Sequence, residues 1–183
     1  MRSCISTSIT CGCLAIGLSA CSNDLAGRLT APMVPDSIKT SSNEVLLFSA
    51  KATGVQIYEC QAKKDDSTRY EWSFKAPEAD LFDAKGGKVG RHYAGPTWEA
   101  SDGSKVVGEV KGHSPAADAN AIPWLLLSAR QHEGNGIFSH VTSIQRVETS
   151  GGKAPAEGCD QSSLGNEVRV PYTAVYYFYV SQP

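Results

Sequence analysis

Apolar residues in this chain recur at every second position, and no stretch longer than a turn or two repeats them at helical spacing. Tyr70, Trp72 and Phe74 alternate with Glu71, Ser73 and Lys75, the period of a strand with one face buried. Val55, Ile57 and Glu59 likewise alternate with Gln56, Tyr58 and Cys60. Glycine punctuates these runs: Lys85-Gly86-Gly87-Lys88 separates Phe82 from Val89, and Asp102-Gly103 separates Trp98 from Val106. Both turns carry the residue that positive-φ hairpin turns demand, so residues 80–110 read as a meander. Residues 122–127 form the densest apolar run, and Pro123 within it predicts an edge or an irregular entry. Further strands are expected within 137–147 and 172–180. The predicted class is all-β with little helix, a single-domain sandwich or closed barrel.

The N-terminus reads differently. One positive charge, Arg2, precedes an apolar stretch from Ile9 to Leu18, which ends in Leu18-Ser19-Ala20-Cys21. This stretch is short for a membrane span and has the form of a secretory signal. The closing tetrad matches a bacterial lipobox, which implies cleavage before Cys21 and acylation of its thiol and new amino group. Residues 1–20 are thus expected to be a signal peptide, 21–32 a flexible tether and 33–183 the folded domain. Ser22 rather than Asp follows the cysteine, which points to a lipid anchor in the outer membrane of the cell envelope. Eleven extended tether residues reach at most about 35–40 Å, so the domain stays near the membrane.

Loss of the signal removes Arg2 from the chain's 17 basic residues, leaving 16 against 19 acidic ones, or net −3. No basic run occurs, so no nucleic-acid partner is expected. Of six cysteines, Cys4, Cys11 and Cys13 leave with the signal and Cys21 takes lipid. Cys60 and Cys159 remain, and an oxidising compartment favours a disulfide between them.

Several phrases occur together in a telling order: Gly54-Val55-Gln56-Ile57-Tyr58-Glu59-Cys60, then residues 89–104 containing Arg91-His92-Tyr93 and Gly95-Pro96-Thr97-Trp98-Glu99. Ile122-Pro123-Trp124-Leu125, Val141-Thr142-Ser143-Ile144-Gln145-Arg146-Val147 and Arg169-Val170-Pro171-Tyr172 follow. The chain thereby resembles the domain of unknown function 3455 family over residues 33–183. The resemblance implies one folded unit, found in bacteria and in secreted fungal proteins, and brings no catalytic residue with it.

The best candidate site lies between His92 and Ser104, where His92, Trp98, Glu99 and Asp102 fall within 11 residues. An imidazole with two carboxylates suits acid–base work or a metal, with Trp98 as a pocket wall. The competing reading is a structural hairpin, because Trp98 in the core turns Glu99 outward and Asp102-Gly103 is turn chemistry. His113 lies in a loop, and His132 and His140 flank Gly134-Asn135-Gly136, where a hairpin of suitable register would let them share a cation. No His-Glu-x-x-His, Cys-x-x-Cys, Gly-x-Ser-x-Gly or Gly-x-Gly-x-x-Gly cradle occurs, so no metal and no cofactor is expected. Tyr172, Tyr176 and Phe178 share one face of the last strand, while Thr173, Val175, Tyr177 and Tyr179 share the other. That pattern is expected from a central strand buried on both sides, and alternatively from an aromatic ligand platform.

Two function classes follow. One is a non-catalytic binding or structural lipoprotein whose ligand is cell-wall, matrix or small-molecule in nature. The other is an envelope hydrolase or metal-dependent enzyme using His92 with Glu99 or Asp102.

Overall fold

Eight antiparallel strands, each hydrogen-bonded to the next in sequence, close into a barrel in the computed structural model, which describes residues 29–182. They are β1 (Glu44–Ala62), β2 (Tyr70–Phe82), β3 (Lys88–Tyr93), β4 (Thr97–Ala100), β5 (Lys105–Ser114), β6 (Trp124–Glu133), β7 (Val141–Gly151) and β8 (Glu167–Ser181). Closure comes from β8, which pairs with β7 on one edge and with β1 on the other, from Glu44↔Ser181 to Glu59↔Glu167. Of the two all-β architectures that the sequence leaves open, the chain adopts the barrel. The only helical elements among the described residues are two 3₁₀ turns, Asp36–Ile38 and Gln161–Ser163. The signal, Cys21 and most of the expected tether lie outside the described residues.

The meander expected over 80–110 is present, and its turns have the anticipated chemistry. Asp83 Oδ1 accepts from the backbone N–H of Lys85 and of Gly87, both at 2.8 Å, while Gly86 takes φ 83°. Gly103 takes φ 85° in the β4–β5 turn, a conformation that L side chains rarely adopt. Pro123 precedes β6 rather than lying within it, and the irregular stretch before the strand bridges Ala121 to Gly152.

Alternation decides what fills the lumen. On β8, Tyr172, Ala174, Tyr176 and Phe178 are all buried and point inward. Ala50 stands opposite Tyr176, and Ala52 opposite Ala174, so small residues on β1 leave room for the rings of β8. The outer face of β8 is covered unevenly: Thr173 is exposed, while Tyr179 is buried. The cover over Tyr179 comes from the chain before β1. Tyr179 donates its hydroxyl to Gln145 Oε1 at 2.6 Å, Gln145 Nε2 donates to the Ile38 carbonyl at 2.7 Å, and Ile38 is fully buried.

Phe138 closes one end of the barrel, packing between Phe48 and Phe178 with ring centroids 5.6 and 4.9 Å away. It is delivered by a loop that Asp102 holds down. Asp102 Oδ2 accepts from Ile137 N at 2.8 Å and Oδ1 from Ser104 Oγ at 2.6 Å, and that Oγ accepts in turn from Phe138 N at 3.1 Å. Cys60 and Cys159 form the expected disulfide, Cα atoms 5.4 Å apart and 99 residues apart in sequence. It fastens the segment before β8 to β1, where Cys60 also exchanges backbone hydrogen bonds with Asn166 and Gly165.

Two outcomes follow. Reducing the disulfide in the full chain lowers denaturant stability by up to about 4–5 kcal/mol, the chain-entropy limit for a loop of this length. Asp102→Ala releases the Ile137 and Phe138 amides, which hydrogen exchange then reports as lost protection together with a lower melting temperature. Asp102→Asn, which keeps one carbonyl acceptor, loses less of both.

Candidate functional site

The barrel wall is incomplete on one side because β3 and β4 are short. β3 pairs with β2 only from Ala79 to Phe82, and β4 pairs with β5 only from Lys105 to Val107. Their hairpin turns at residues 94–96, while the rest of β2 (70–78) and of β5 (108–114) runs on past it. A cavity of about 210 Å³ lies behind this gap, and every strand of the barrel contributes to its lining. Phe74 and Pro77 from β2 and Val110 from β5 form its rim; Leu125 and Leu127 from β6 line its apolar wall. Phe74 and Val110 are 56% and 51% exposed, and of the exposed large apolar side chains among the described residues these two sit together at this mouth.

His92 and Trp98 stand directly opposite each other on β3 and β4, and their rings stack at 4.4 Å, 12° from parallel. Tyr176 meets both edge-on, at 5.1 and 5.4 Å. Gly108 makes room for the indole, since a Cβ there would lie 2.9 Å from Trp98 Cζ3. His92 Nδ1 donates to the Thr97 carbonyl at 2.8 Å, which fixes the tautomer and leaves Nε2 an acceptor. Burial pushes the His92 pKa down to about 3; the Thr97 bond opposes the fall and the Arg146 charge adds to it. The imidazole is therefore neutral at physiological pH.

The polar content of the cavity is one-sided. Gln56 Nε2, Trp98 Nε1 and Tyr176 Oη are buried on its lining, and like the Tyr172 hydroxyl on the same face of β8 they have no hydrogen bond of normal geometry among the described residues, although Tyr172 lies beside Gln56 and Tyr176, and Tyr176 beside Arg146, at looser geometry. Arg146 on β7 stands opposite Tyr176 and Leu125 and also lines the cavity. A larger, open depression of about 700 Å³ on the outer face of β1–β3 is different in kind. Its cations are already matched, as Lys88–Asp80, Arg91–Glu99 and Arg169–Glu78 pairs.

Of the four residues proposed from sequence, the fold brings together His92 and Trp98 and separates the two carboxylates from them. Glu99 points outward from β4. It accepts from Arg91 Nη2 and from the Tyr93 hydroxyl, both at 2.9 Å, and these two partners hold its carboxyl below the usual range. Asp102 lies at the other end of β4, engaged with the Phe138 loop. The acid–base pair expected of His92 with Glu99 or Asp102 is thus not assembled, because adjacent strand positions face opposite ways and the Asp102 turn lies a strand length away. His132 bonds through Nε2 to the Val141 carbonyl at 2.8 Å, and His140 is exposed, so the two do not share a site. His113, expected in a loop, stands instead near the end of β5 opposite Leu125, where it is exposed. No cluster of three or more His, Cys, Asp or Glu suited to a metal occurs among the described residues.

Sequence reasoning missed Gln56 and Arg146. The signal for Arg146 was present: it lies two residues from Ile144, so an inward Ile144 carries Arg146 inward as well. Phe74, expected on the buried face of its strand, is a rim residue: β2 outruns β3 there, and its ring is covered on one side alone, by Tyr58 edge-on at 5.7 Å.

The buried neutral imidazole links stability to pH. A folded-state pKa of about 3 against the ordinary 6.5 means that the contribution is complete above pH 6.5 and is lost as pH falls toward 3. Between pH 6.5 and 5, above the carboxylate range, denaturant stability should fall in the native protein and stay flat in His92→Phe. The full span amounts to a few kcal/mol, on the order set by about 1.4 kcal/mol per pKa unit.

Comparison with curated proteins finds no match, and comparison with solved structures finds none either. A family model described as "Protein of unknown function (DUF3455)" matches residues 40–180, which span the barrel from before β1 to the end of β8, and the chain belongs to that family.

Proposed function

We propose that this protein is a non-catalytic binding module of the bacterial cell envelope, which takes a small molecule through the side opening of its barrel and is held to the membrane by acylated Cys21. The observation that carries the proposal is the convergence of buried donors, unpartnered at Trp98 Nε1 and poorly engaged at Gln56 and Tyr176, on a cavity with exposed apolar residues at its mouth. A buried donor left unpaired costs about 1–3 kcal/mol, and native proteins seldom gather several in one place without a partner to satisfy them. The cavity falls below the roughly 300–1,000 Å³ of drug-sized sites, which favours a small ligand over a polymer chain of wall or matrix. Its apolar walls with few polar points fit recognition. Catalysis has less support, because the one imidazole in the cavity is neutral, tied through Nδ1 and without a carboxylate beside it. The lipobox and the Cys60–Cys159 disulfide support an envelope location.

Trp98 provides the readout. Small single-ring or branched aliphatic compounds titrated into the protein should change its indole fluorescence, and Val110→Phe should weaken their binding about tenfold by narrowing the mouth. Val110 is exposed, so the melting temperature should hold. A cavity that takes up none of these probes would falsify the binding role. For the anchor, Cys21→Ala should abolish acyl labelling and release the protein from the outer-membrane fraction; retained labelling would overturn that assignment.

A further inference from the structure

Resting on the cavity reading above, we infer that the ligand is a small carboxylate with an apolar body, its anionic group received by Arg146 and the neighbouring donors. Arg146 is set apart from the other arginines. Five arginines fall among the described residues, and four of them sit on the outside of the barrel or its turns within ion-pair distance of a carboxylate: Arg69 with Asp66, Arg91 with Glu99, Arg130 with Glu109 and Arg169 with Glu78. Arg146 is the fifth. It is partly buried, faces the cavity and has no carboxylate partner. Its Nε and Nη2 both donate to a single backbone acceptor, the Pro123 carbonyl, at 3.2 and 2.8 Å. That contact orients the guanidinium, the Tyr176 hydroxyl lies beside it at looser geometry, and no carboxylate among the described residues balances its charge.

Burial dominates at Tyr58, His92, Tyr172 and Tyr176, and the nearby Arg146 charge acts on each as a smaller influence that disfavours added positive charge. Guanidinium remains protonated under all ordinary conditions, and a partly desolvated one is costly without an anion. The other polar groups share its preference. Trp98 Nε1 can only donate and has no partner among the described residues, and the amide of Gln56 and the hydroxyl of Tyr176 are donors engaged only at loose geometry, with Tyr172 and Arg146. A carboxylate supplies two acceptor oxygens with about four lone-pair directions, which suits a cation with a ring of donors. A cationic ligand would be repelled by Arg146, and a hydrocarbon would give these donors no acceptor. Lys75 also borders the mouth, but Glu59 and Glu167 hold it at 2.8 and 2.6 Å, so it offers no competing site. Leu125, Leu127 and the rim residues Phe74 and Val110 receive the apolar body. The cavity volume limits that body to one ring or a short branched chain.

Paired isosteres test this in the full chain held in detergent. Calorimetric titration with phenylacetate and phenylacetamide should show the acid binding about tenfold more tightly, the advantage of a charge-assisted contact over a neutral one. Arg146→Gln should bring the two within a factor of about three, and Arg146→Lys should keep part of the preference. Equal affinities in the unmodified protein would overturn the carboxylate class while leaving the cavity as a binding site. Binding of neither compound, nor of any small apolar probe, would remove the cavity reading and this inference together. The acid–amide comparison needs no substitution, so the result does not depend on whether Arg146→Gln folds. A preference for the acid that survives in folded Arg146→Gln would also overturn the assignment.

Discussion

The pairing of β8 with β1 is the contact on which everything else depends. Seven strands in a meander would form a twisted ribbon with two free edges and an exposed apolar face. The eighth strand returns the sheet to its start and turns that face into an interior. Only after this return can Ala50 and Ala52 lie beneath Tyr176 and Ala174, or Phe138 find Phe48 and Phe178 waiting at the end of the lumen. The long β1 makes the return secure, since it carries partners along both edges.

Closure is incomplete at one place, and the chemistry concentrates there. The short β3–β4 hairpin withdraws from the wall, so the lumen changes character along its length. Toward Phe138 it is hydrocarbon and ring; toward the gap it is rich in donors. The His92–Trp98–Tyr176 stack stands at the boundary between the two. Its rings brace the short strands from within, where the backbone ladder is briefest, and present polar edges to the open side. The stretch of β2 beside the gap carries Lys75, an exposed charge, and Pro77, a buried residue without an N–H, and both hinder pairing with a foreign strand.

Much of the fold was legible because period-two alternation and turn glycines are local signals. Lys85-Gly86-Gly87-Lys88 and Asp102-Gly103 announced their hairpins, Pro123 announced an irregular approach to β6, and two leftover cysteines had a single pairing available. Whether the sheet would close was not legible, since that depends on which strands meet at the ends of the chain. The candidate site divided along the same line. Trp98 inward and Glu99 outward follow from alternation alone, and the structure agrees. The grouping of His92 with Gln56, Arg146 and Tyr176 draws on four strands far apart in sequence, and only the register brings them together. Asp102 shows the converse: ten residues from His92 in the chain, it serves the opposite end of the barrel.

The disulfide joins strand one to the segment just ahead of strand eight, and this has a temporal consequence. A chain that emerges N-terminus first presents β1 long before its two distant partners, β8 and Cys159, exist to meet it. The contact order is correspondingly high, and the early strands must wait, paired only with their immediate followers. Closure of the sheet is thereby deferred until the whole chain has been delivered, and the joint oxidation of Cys60 and Cys159, by thiol–disulfide exchange with an external disulfide that takes up the two electrons, becomes a late event that records a finished barrel. Until its last strand arrives, the sheet keeps two open edges and an uncovered apolar face.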